Sequence, residues 1–390
     1  MKILIAADTY YPNVDGASYF TQRLASQLKK RGHDILVIAS SSTRYTTTFS
    51  HDGVACLGVF SWPSVFHKDY RFSPPYLIKR QIFEAIKNFK PDVVHIQGHF
   101  MIERTVANIA RELGIPVVAT NHFMPENLLH YGHLPARVEH KLAKLAWKDF
   151  CGVFKKIPTI TTPTKTGADV LKDNGLSQPV IAISCGIDLQ RFNPKNSGDY
   201  LRKRFNLPNV PVLLSVGRLA PEKNVELTIR AFSMLPPQTK IHLVIVGSGT
   251  ERERLEILVT ELGIRDKVTF TGFIPDEDMA AVYALSHVFV TAGEAELQSL
   301  VTMEAMATGL PVVAVRAVAL PELVHENENG FLFETGDAKS MATYIERLFT
   351  DEALHSRMSQ KSLEIISKHD IEKTIPAFEK LYERAINGIM

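Results

Sequence analysis

Apolar runs of four to six residues alternate along this chain with stretches whose apolar positions recur at helical spacing. In the first half the runs are KILIAA, DILVIA, DVVHI, PVVAT, TITTP and VIAIS. They are rich in β-branched residues and short, which predicts strands of a parallel sheet covered on both faces. Between them lie amphipathic segments such as YFTQRLASQLKKRG, where Gly32 marks the stop. The same rhythm restarts in the second half with VPVLLSVG, KIHLVIVG, KVTFTG, HVFVTA, LPVVAV and GFLFE. The architecture repeats without any repeat of sequence. The expected class is α/β, with two Rossmann-like, doubly wound parallel-sheet domains facing a cleft.

The restart follows a loop in which Asn193, Pro194, Asn196, Ser197 and Gly198 cluster. That places an N-terminal domain at 1–194, a C-terminal domain at 195–365 and a terminal helical segment at 366–390 that could pack back on the N-terminal domain. A length of 390 residues agrees with two cores rather than one.

Charge removes some function classes. Lys and Arg together number 44 against 42 Asp and Glu, a net +2, so nothing in the balance predicts a nucleic-acid partner. Cys56, Cys151 and Cys185 are scattered without a CxxC spacing, which fits a reducing cytoplasm and neither a disulfide framework nor a zinc site. The N-terminal MKILIAADTYYP reads as a first buried strand rather than a signal peptide, and no apolar run is long enough to cross a bilayer. The expected location is cytoplasmic, with any membrane contact peripheral and on the inner face.

Chemistry is sought after the strands, because doubly wound domains bind ligands at the carboxyl ends of their strands. The most informative segment is TAGEAELQSLVTMEAMATGLPVV, Thr291 to Val313. A strand enters a short polar loop, a helix starts near Ser299, and Gly309 closes it. A helix start carries unpaired N–H groups and partial positive charge, so the loop around Gln298, Ser299, Leu300 and Val301 is a candidate anion site. Glu296 in the loop and Glu304 on the second helical turn are carboxylates able to receive sugar hydroxyls. Phosphates at the helix start, a ribose at Glu304 and a sugar at Glu296 would together hold a nucleotide sugar.

Elsewhere the signals are individually weaker. Arg218 and Lys223 follow a strand and could clamp a diphosphate, although a solvated charged loop is the commoner fate of such a pair. VGSGTERE lacks the third glycine of a dinucleotide fingerprint and reads better as a tight turn. After the first strand, Gly16 opens a helix and permits close backbone approach to a ligand. His95, His99 and His122 all lie near strand ends, but their spacing matches no compact metal-ligand motif. In RVEHKLAKLAWKDFCGVFKK, Arg137, Lys141, Lys144 and Lys148 fall on one helical face, suited either to an anionic bilayer or to plain solvation.

Taken in order, DTYYPNVDG, TNH, CGIDLQRFNP, VGRLAPEKN, VIVGSG, VTFTGFI, the E-x7-E segment EAELQSLVTMEAMATG and LPELVHENENGFLF resemble the retaining glycosyltransferases of family 4. The resemblance spans most of the chain and implies the GT-B fold. It also implies roles. Gly16 would lie by the donor phosphates and acceptor, and His122 would face the transferred sugar. Arg218 and Lys223 would bind the diphosphate and assist the leaving group. Phe273 or Ile274 would hold the base through backbone groups. Glu296 would contact donor-sugar hydroxyls, the amides of Leu300 and Val301 would face the phosphates, and Glu304 would bind the ribose. Departures from the family pattern are Asp15-Gly16 for Gly-Gly, Gln298-Ser299 for Phe-Gly, and Val318-Ala319 for Gly-Gly. Serine at 299 is compatible with a helix cap.

The activity so implied is a retaining hexosyltransferase using a nucleotide diphosphate sugar, with a UDP-sugar as first choice. It would need no tightly bound cofactor. No strict metal requirement is expected either, since no Asp-x-Asp lies in a suitable loop and the cations would stabilise the departing diphosphate. Glu296 could be a nucleophile or a sugar binder. TNHFMPENLLHYGHLP and the basic segment look more like members that glycosylate lipids such as diacylglycerol or a phosphoinositide. A soluble sugar or metabolite acceptor is the alternative. Outside the class stand a nucleotide-sugar epimerase or hydrolase and a non-catalytic nucleotide-sugar-binding subunit.

Overall fold

The computed structural model describes residues 1–13, 15–64, 71–125 and 136–389. The chain forms two compact units. One takes the described residues up to Pro125, the segment from 136 to Cys185 and the chain from Thr374 onward; the other takes Gly186–Lys373.

Eight strands build the first sheet: β1 (Lys2–Ala7), β2 (Asp34–Ser40), β3 (Thr47–His51), β4 (Val54–Val59), β5 (Val93–Ile96), β6 (Val117–Thr120), β7 (Thr159–Thr162) and β8 (Val180–Ala182). Their order is β8-β7-β6-β5-β1-β2-β4-β3. The chain winds outward from β1 to one edge, returns to β5, and winds to the other. β1 pairs in parallel with both β2 and β5, so the order reverses between β1 and β5. All the pairings are parallel except β3 with β4. That hairpin is absent from the sequence-based expectation. TTFSH has no apolar run, and its buried partner VACLGV is short. The turn, however, is explicit: Asp52 and Gly53 both have positive φ (49° and 74°), as a two-residue turn matching strand twist requires.

The second sheet has six strands: β9 (Val212–Val216), β10 (His242–Val246), β11 (Val268–Gly272), β12 (Val288–Thr291), β13 (Val312–Val315) and β14 (Gly330–Phe333). Its order is β11-β10-β9-β12-β13-β14, all parallel, with the reversal between β9 and β12. β10, β12, β13 and β14 are buried along almost their whole length, as a sheet covered on both faces demands.

Each unit has its own core. Ile82, Val94, Ile96, Val106, Phe150, Phe154 and Ile160 belong to the first; Leu213, Val244, Phe289, Met303, Val313, Phe331 and Ile345 belong to the second. The terminal helix Ile371–Ile386 contributes Phe378 and Tyr382, both fully buried. Glu379 on that helix accepts two 2.9 Å bonds from the Arg31 guanidinium and lies 2.9 Å from His33 Nε2.

Candidate active site

In the second unit the reversal between β9 and β12 gathers the expected residues. β9 runs into Gly217 and Arg218, and β12 runs into the loop carrying Gly293 and Glu296. The loops after β9 and β10 approach so closely that a Cβ on Gly247 would stand 1.9 Å from the Gly217 carbonyl oxygen. Gly249 faces the Leu219 carbonyl in the same way, at 2.1 Å. The glycines of VGSG therefore allow backbone to meet backbone, which agrees with a tight turn rather than a dinucleotide fingerprint.

Arg218 Nη2 donates to Glu222 Oε1 at 2.7 Å, and the Glu222 side chain is almost fully buried. The Lys223 ammonium pairs with Glu296 Oε1, joining the loop after β9 to the loop after β12. A Cβ at Gly293 would fall 3.4 Å from Lys223 Cδ and 3.6 Å from Glu296 Oε1, so glycine keeps room for that pair. Cations and carboxylates thus lie paired, part-buried, at one switch point.

The next helix is Leu300–Ala307, with Ser299 at its N-cap position. Its first intrahelical bond runs from Met303 N–H to the Ser299 carbonyl (3.1 Å), so the amides of Leu300 and Val301 precede the ladder. The expected serine cap is not formed. Ser299 Oγ instead accepts from Thr302 Oγ1 at 2.9 Å. Side-chain pairing within the first turn has displaced the capping bond. Glu304 is 6% exposed, and its Oε2 accepts from the buried Tyr283 hydroxyl at 2.9 Å. A hydroxyl does meet this carboxylate, but it is the protein's own, and it fixes the rotamer. After Gly272 (φ 73°), Phe273 is exposed and Ile274 is buried.

The first unit offers a different surface. Gly16 opens the helix Gly16–Lys30, and nothing lies within 4 Å of where its Cβ would be. The residue before it has a role the sequence reading missed: Asp15 is the N-cap, accepting from Ser18 N–H at 2.9 Å. Its carboxylate meets the positive end of the helix and weakens that turn's pull on a phosphate.

The three histidines separate. His95 is fully buried, with Nδ1 2.8 Å from the Tyr382 hydroxyl and Nε2 2.6 Å from Thr120 Oγ1. Burial, with His122 nearby, pushes its pKa down to about 3. His99 is packed against Phe100, Phe123 and Phe150, and burial holds it at about 4. Both are parts of the core. His122 is half-buried beside Phe20 (centroids 4.8 Å apart), and its Nε2 lies 3.0 Å from Gln97 Oε1. Loss of solvation lowers it to about 4, so it is neutral at ordinary pH.

Two further features at this edge had no sequence signal beyond their place after a strand. One is Gln97. The other is Asp8, part-buried, with the buried Glu103, a carboxyl pair. Asp8 N–H donates to Glu103 Oε1 at 2.8 Å, and Asp8 Oδ2 accepts from Ile102 N–H at 3.2 Å. Burial raises both pKa values, and repulsion from Asp8 adds to the rise at Glu103.

The basic segment forms the helix Ala136–Phe154. Arg137, Lys141, Lys144 and Lys148 are exposed, while Trp147 and Phe150 enter the core. Val138, Leu142 and Leu145 are also exposed, at helical spacing. Much of TNHFMPENLLHYGHLP falls on 126–135, outside the described residues. Among the described residues, no helix is long and apolar enough to cross a membrane.

Two Rossmann-like units, each with polar residues collected at its strand-order reversal, are the architecture of the GT-B class. The chain belongs to the glycosyltransferases of family 4. The family model described as Glycosyltransferase Family 4 matches residues 14–191, and that of Glycosyl transferases group 1 matches residues 199–364. A GDP-mannose-dependent alpha-mannosyltransferase of Mycobacterium tuberculosis is 30% identical over 86% of this chain and 85% of its own. The alpha-monoglucosyldiacylglycerol synthase of Streptococcus pneumoniae is 26% identical over 97% of this chain and 85% of its own. Among solved structures, HepE of Anabaena in complex with UDP superposes with a TM-score of 0.77 at 20% identity, covering 97% of this chain and 99% of that one.

Proposed function

We propose that this chain transfers a hexose from a nucleotide diphosphate sugar to a lipid hydroxyl, with retention at the anomeric carbon. The observation that carries the reading is the paired-charge cluster of the second unit, in which Arg218 is held by Glu222 and Lys223 by Glu296. Departure of a nucleoside diphosphate places new negative charge on its terminal phosphate. Arg218, Lys223 and the amides of Leu300 and Val301 are pre-oriented donors for it, already held in place before substrate binds. Glu296 then serves the sugar hydroxyls, Glu304 the ribose, and the backbone at Phe273 and Ile274 the base. His122 faces the sugar as a neutral imidazole, and Gly16 lies by the phosphates and acceptor. The acceptor attacks from the face the leaving group vacates.

A lipid acceptor is favoured by the exposed helix Ala136–Phe154. Its four cations accompany the exposed ridge Val138, Leu142 and Leu145, a pairing suited to an anionic bilayer surface. The relative from Streptococcus pneumoniae is named for a glucosyl diacylglycerol product, which points the same way. The HepE structures of Anabaena in complex with UDP and with UDP-glucose favour a UDP-sugar donor, while the mycobacterial relative, named for GDP-mannose, supplies the second reading.

Calorimetric titration with UDP, GDP and UDP-sugars, without added metal, tests the donor assignment. UDP binding that Arg218→Ala abolishes supports the reading. GDP binding in its place moves a mannosyl donor forward. No binding of either removes the donor site.

A further inference from the structure

Resting on the reading of His122 as a reaction-centre residue, we propose that Gln97 is its positioning residue, fixing which ring nitrogen carries the proton and how the imidazole plane is held. Gln97 is nearly buried, and its backbone N–H donates to the Ala6 carbonyl at 2.9 Å, which locks the residue to the end of β1. Its side-chain Oε1 lies 3.0 Å from His122 Nε2. An amide oxygen is only an acceptor, so a neutral His122 carries its proton on Nε2 and presents the Nδ1 lone pair.

The amide is oriented from behind. Gln97 Nε2 lies 3.2 Å from His95 Nδ1 and 3.3 Å from His95 Nε2, against the ring rather than along one nitrogen. Both His95 nitrogens are engaged by hydroxyls, Tyr382 on one side and Thr120 on the other, and Thr120 Oγ1 lies 2.6 Å from Thr161 Oγ1. In this orientation the amide nitrogen faces the His95 ring and the amide oxygen faces His122. Phe20 packs against one side of the His122 ring and rests against Phe378 of the terminal helix (5.8 Å). The terminal helix therefore supports His122 twice, through Tyr382 and His95 to Gln97, and through Phe378 to Phe20. His95, against which the amide nitrogen rests, is held at about 3 by burial and so brings no positive charge to the amide at ordinary pH.

The test is nitrogen-15 histidine NMR of the full chain together with kinetics. The His122 signals are assigned by their loss in His122→Ala. In the wild type they show the Nε2–H tautomer. Gln97→Met keeps volume and removes the acceptor; His122 then shifts to a mixed or Nδ1–H pattern, and kcat falls about 10- to 100-fold while the donor KM changes little. Gln97→Glu keeps the acceptor, so the tautomer persists, but the added charge raises the His122 pKa and carries the acid limb of kcat upward with it. Unchanged His122 signals in Gln97→Met overturn the proposal. Full activity in His122→Ala overturns instead the reaction-centre reading on which it rests, and the NMR result separates the two failures.

Discussion

The strand-order reversals of the two units are built alike and furnished differently. Between β9 and β12 the loops carry full charges in pairs, Arg218 with Glu222 and Lys223 with Glu296. Between β1 and β5 burial works against charge: it raises the pKa values of a carboxyl pair and lowers those of the imidazoles. The reason lies in burial. The carboxylates of the second unit each meet a countercharge, whereas the carboxyl and imidazole groups of the first are desolvated without one, which disfavours their charged forms. Under the proposed reaction this division is useful. New charge arises on the departing diphosphate, where fixed cations lower the barrier. The sugar hydroxyls need only hydrogen-bond partners of defined polarity.

The largest expected effect breaks the charged side of that comparison. Arg218→Ala lowers kcat about 100- to 1,000-fold, the usual loss when one preorganised donor to a developing anion is removed. It also leaves Glu222 buried without its guanidinium partner, so Glu222→Gln combined with Arg218→Ala is the control. If the double variant recovers activity, the loss came from the stranded carboxylate and not from the leaving group.

Next in size is a stability effect confined to the second unit. Gly247→Ala places a Cβ 1.9 Å from the Gly217 carbonyl at a φ of 133°. It should cost about 2–4 kcal/mol of stability. The two tryptophans, Trp62 and Trp147, both lie in the first unit, so their fluorescence follows that unit alone. Urea unfolding followed by far-ultraviolet circular dichroism should show an earlier transition in the variant. An unchanged midpoint would mean that the loops after β9 and β10 do not meet as described.

Glu296→Gln sharpens the comparison by testing what the charge at that position does. A sugar-binding carboxylate loses about tenfold in kcat/KM when it becomes an amide, whereas a nucleophile loses several orders of magnitude. We expect the smaller loss, with KM for the donor carrying part of it because Lys223 loses its partner. A covalently glycosylated enzyme, caught by rapid quench and mass spectrometry, would establish the nucleophile instead.

The architecture of both units was legible because it depends on runs of β-branched residues that need two covered faces. The hairpin of β3 and β4 was not, since an edge strand facing solvent needs no apolar run and TTFSH has none. Charges were legible as candidates: Arg218, Lys223, Glu296 and Glu304 all follow strands or open a helix. Their partners were less so. Glu222 and Tyr283 become relevant only once the loop and helix are folded. Ser299 shows the limit of a local rule, because Thr302, a turn later, took the oxygen that capping would have used. Gln97 and the Asp8–Glu103 pair were overlooked for a related reason. Each draws its meaning from a residue far along the chain, His122 for Gln97 and, for Asp8, Glu103 in the first turn of the helix Met101–Glu112.

The smallest expected effect is a gain, and it comes from the first unit. Burial raises the folded pKa values of Asp8 and Glu103 above those of the unfolded chain. A folded pKa above the unfolded value contributes its stability at low pH and loses it as pH rises past the ordinary carboxylate range of about 4 toward the raised folded value. The pair is therefore a growing liability toward neutrality. The histidines act with opposite sign: His95, His99 and His122, lowered to about 3, 4 and 4, contribute fully above the ordinary imidazole value and lose that contribution as pH falls through it. Glu103→Gln separates the two. The amide keeps an oxygen for Asp8 N–H and offers a donor to the Asp8 carboxylate, so Asp8 can ionise without an opposing carboxyl. Stability followed by tryptophan fluorescence should rise by about 1 kcal/mol at pH 7 relative to wild type. The gain should shrink as pH falls through about 4 and vanish near about 3, where both carboxyls are largely protonated in the unfolded chain as well. A gain that does not change with pH would mean that the raised carboxyl pKa values are not its source. A loss of stability at pH 7 would mean that the two groups are held together by a bond worth more than the charge they give up.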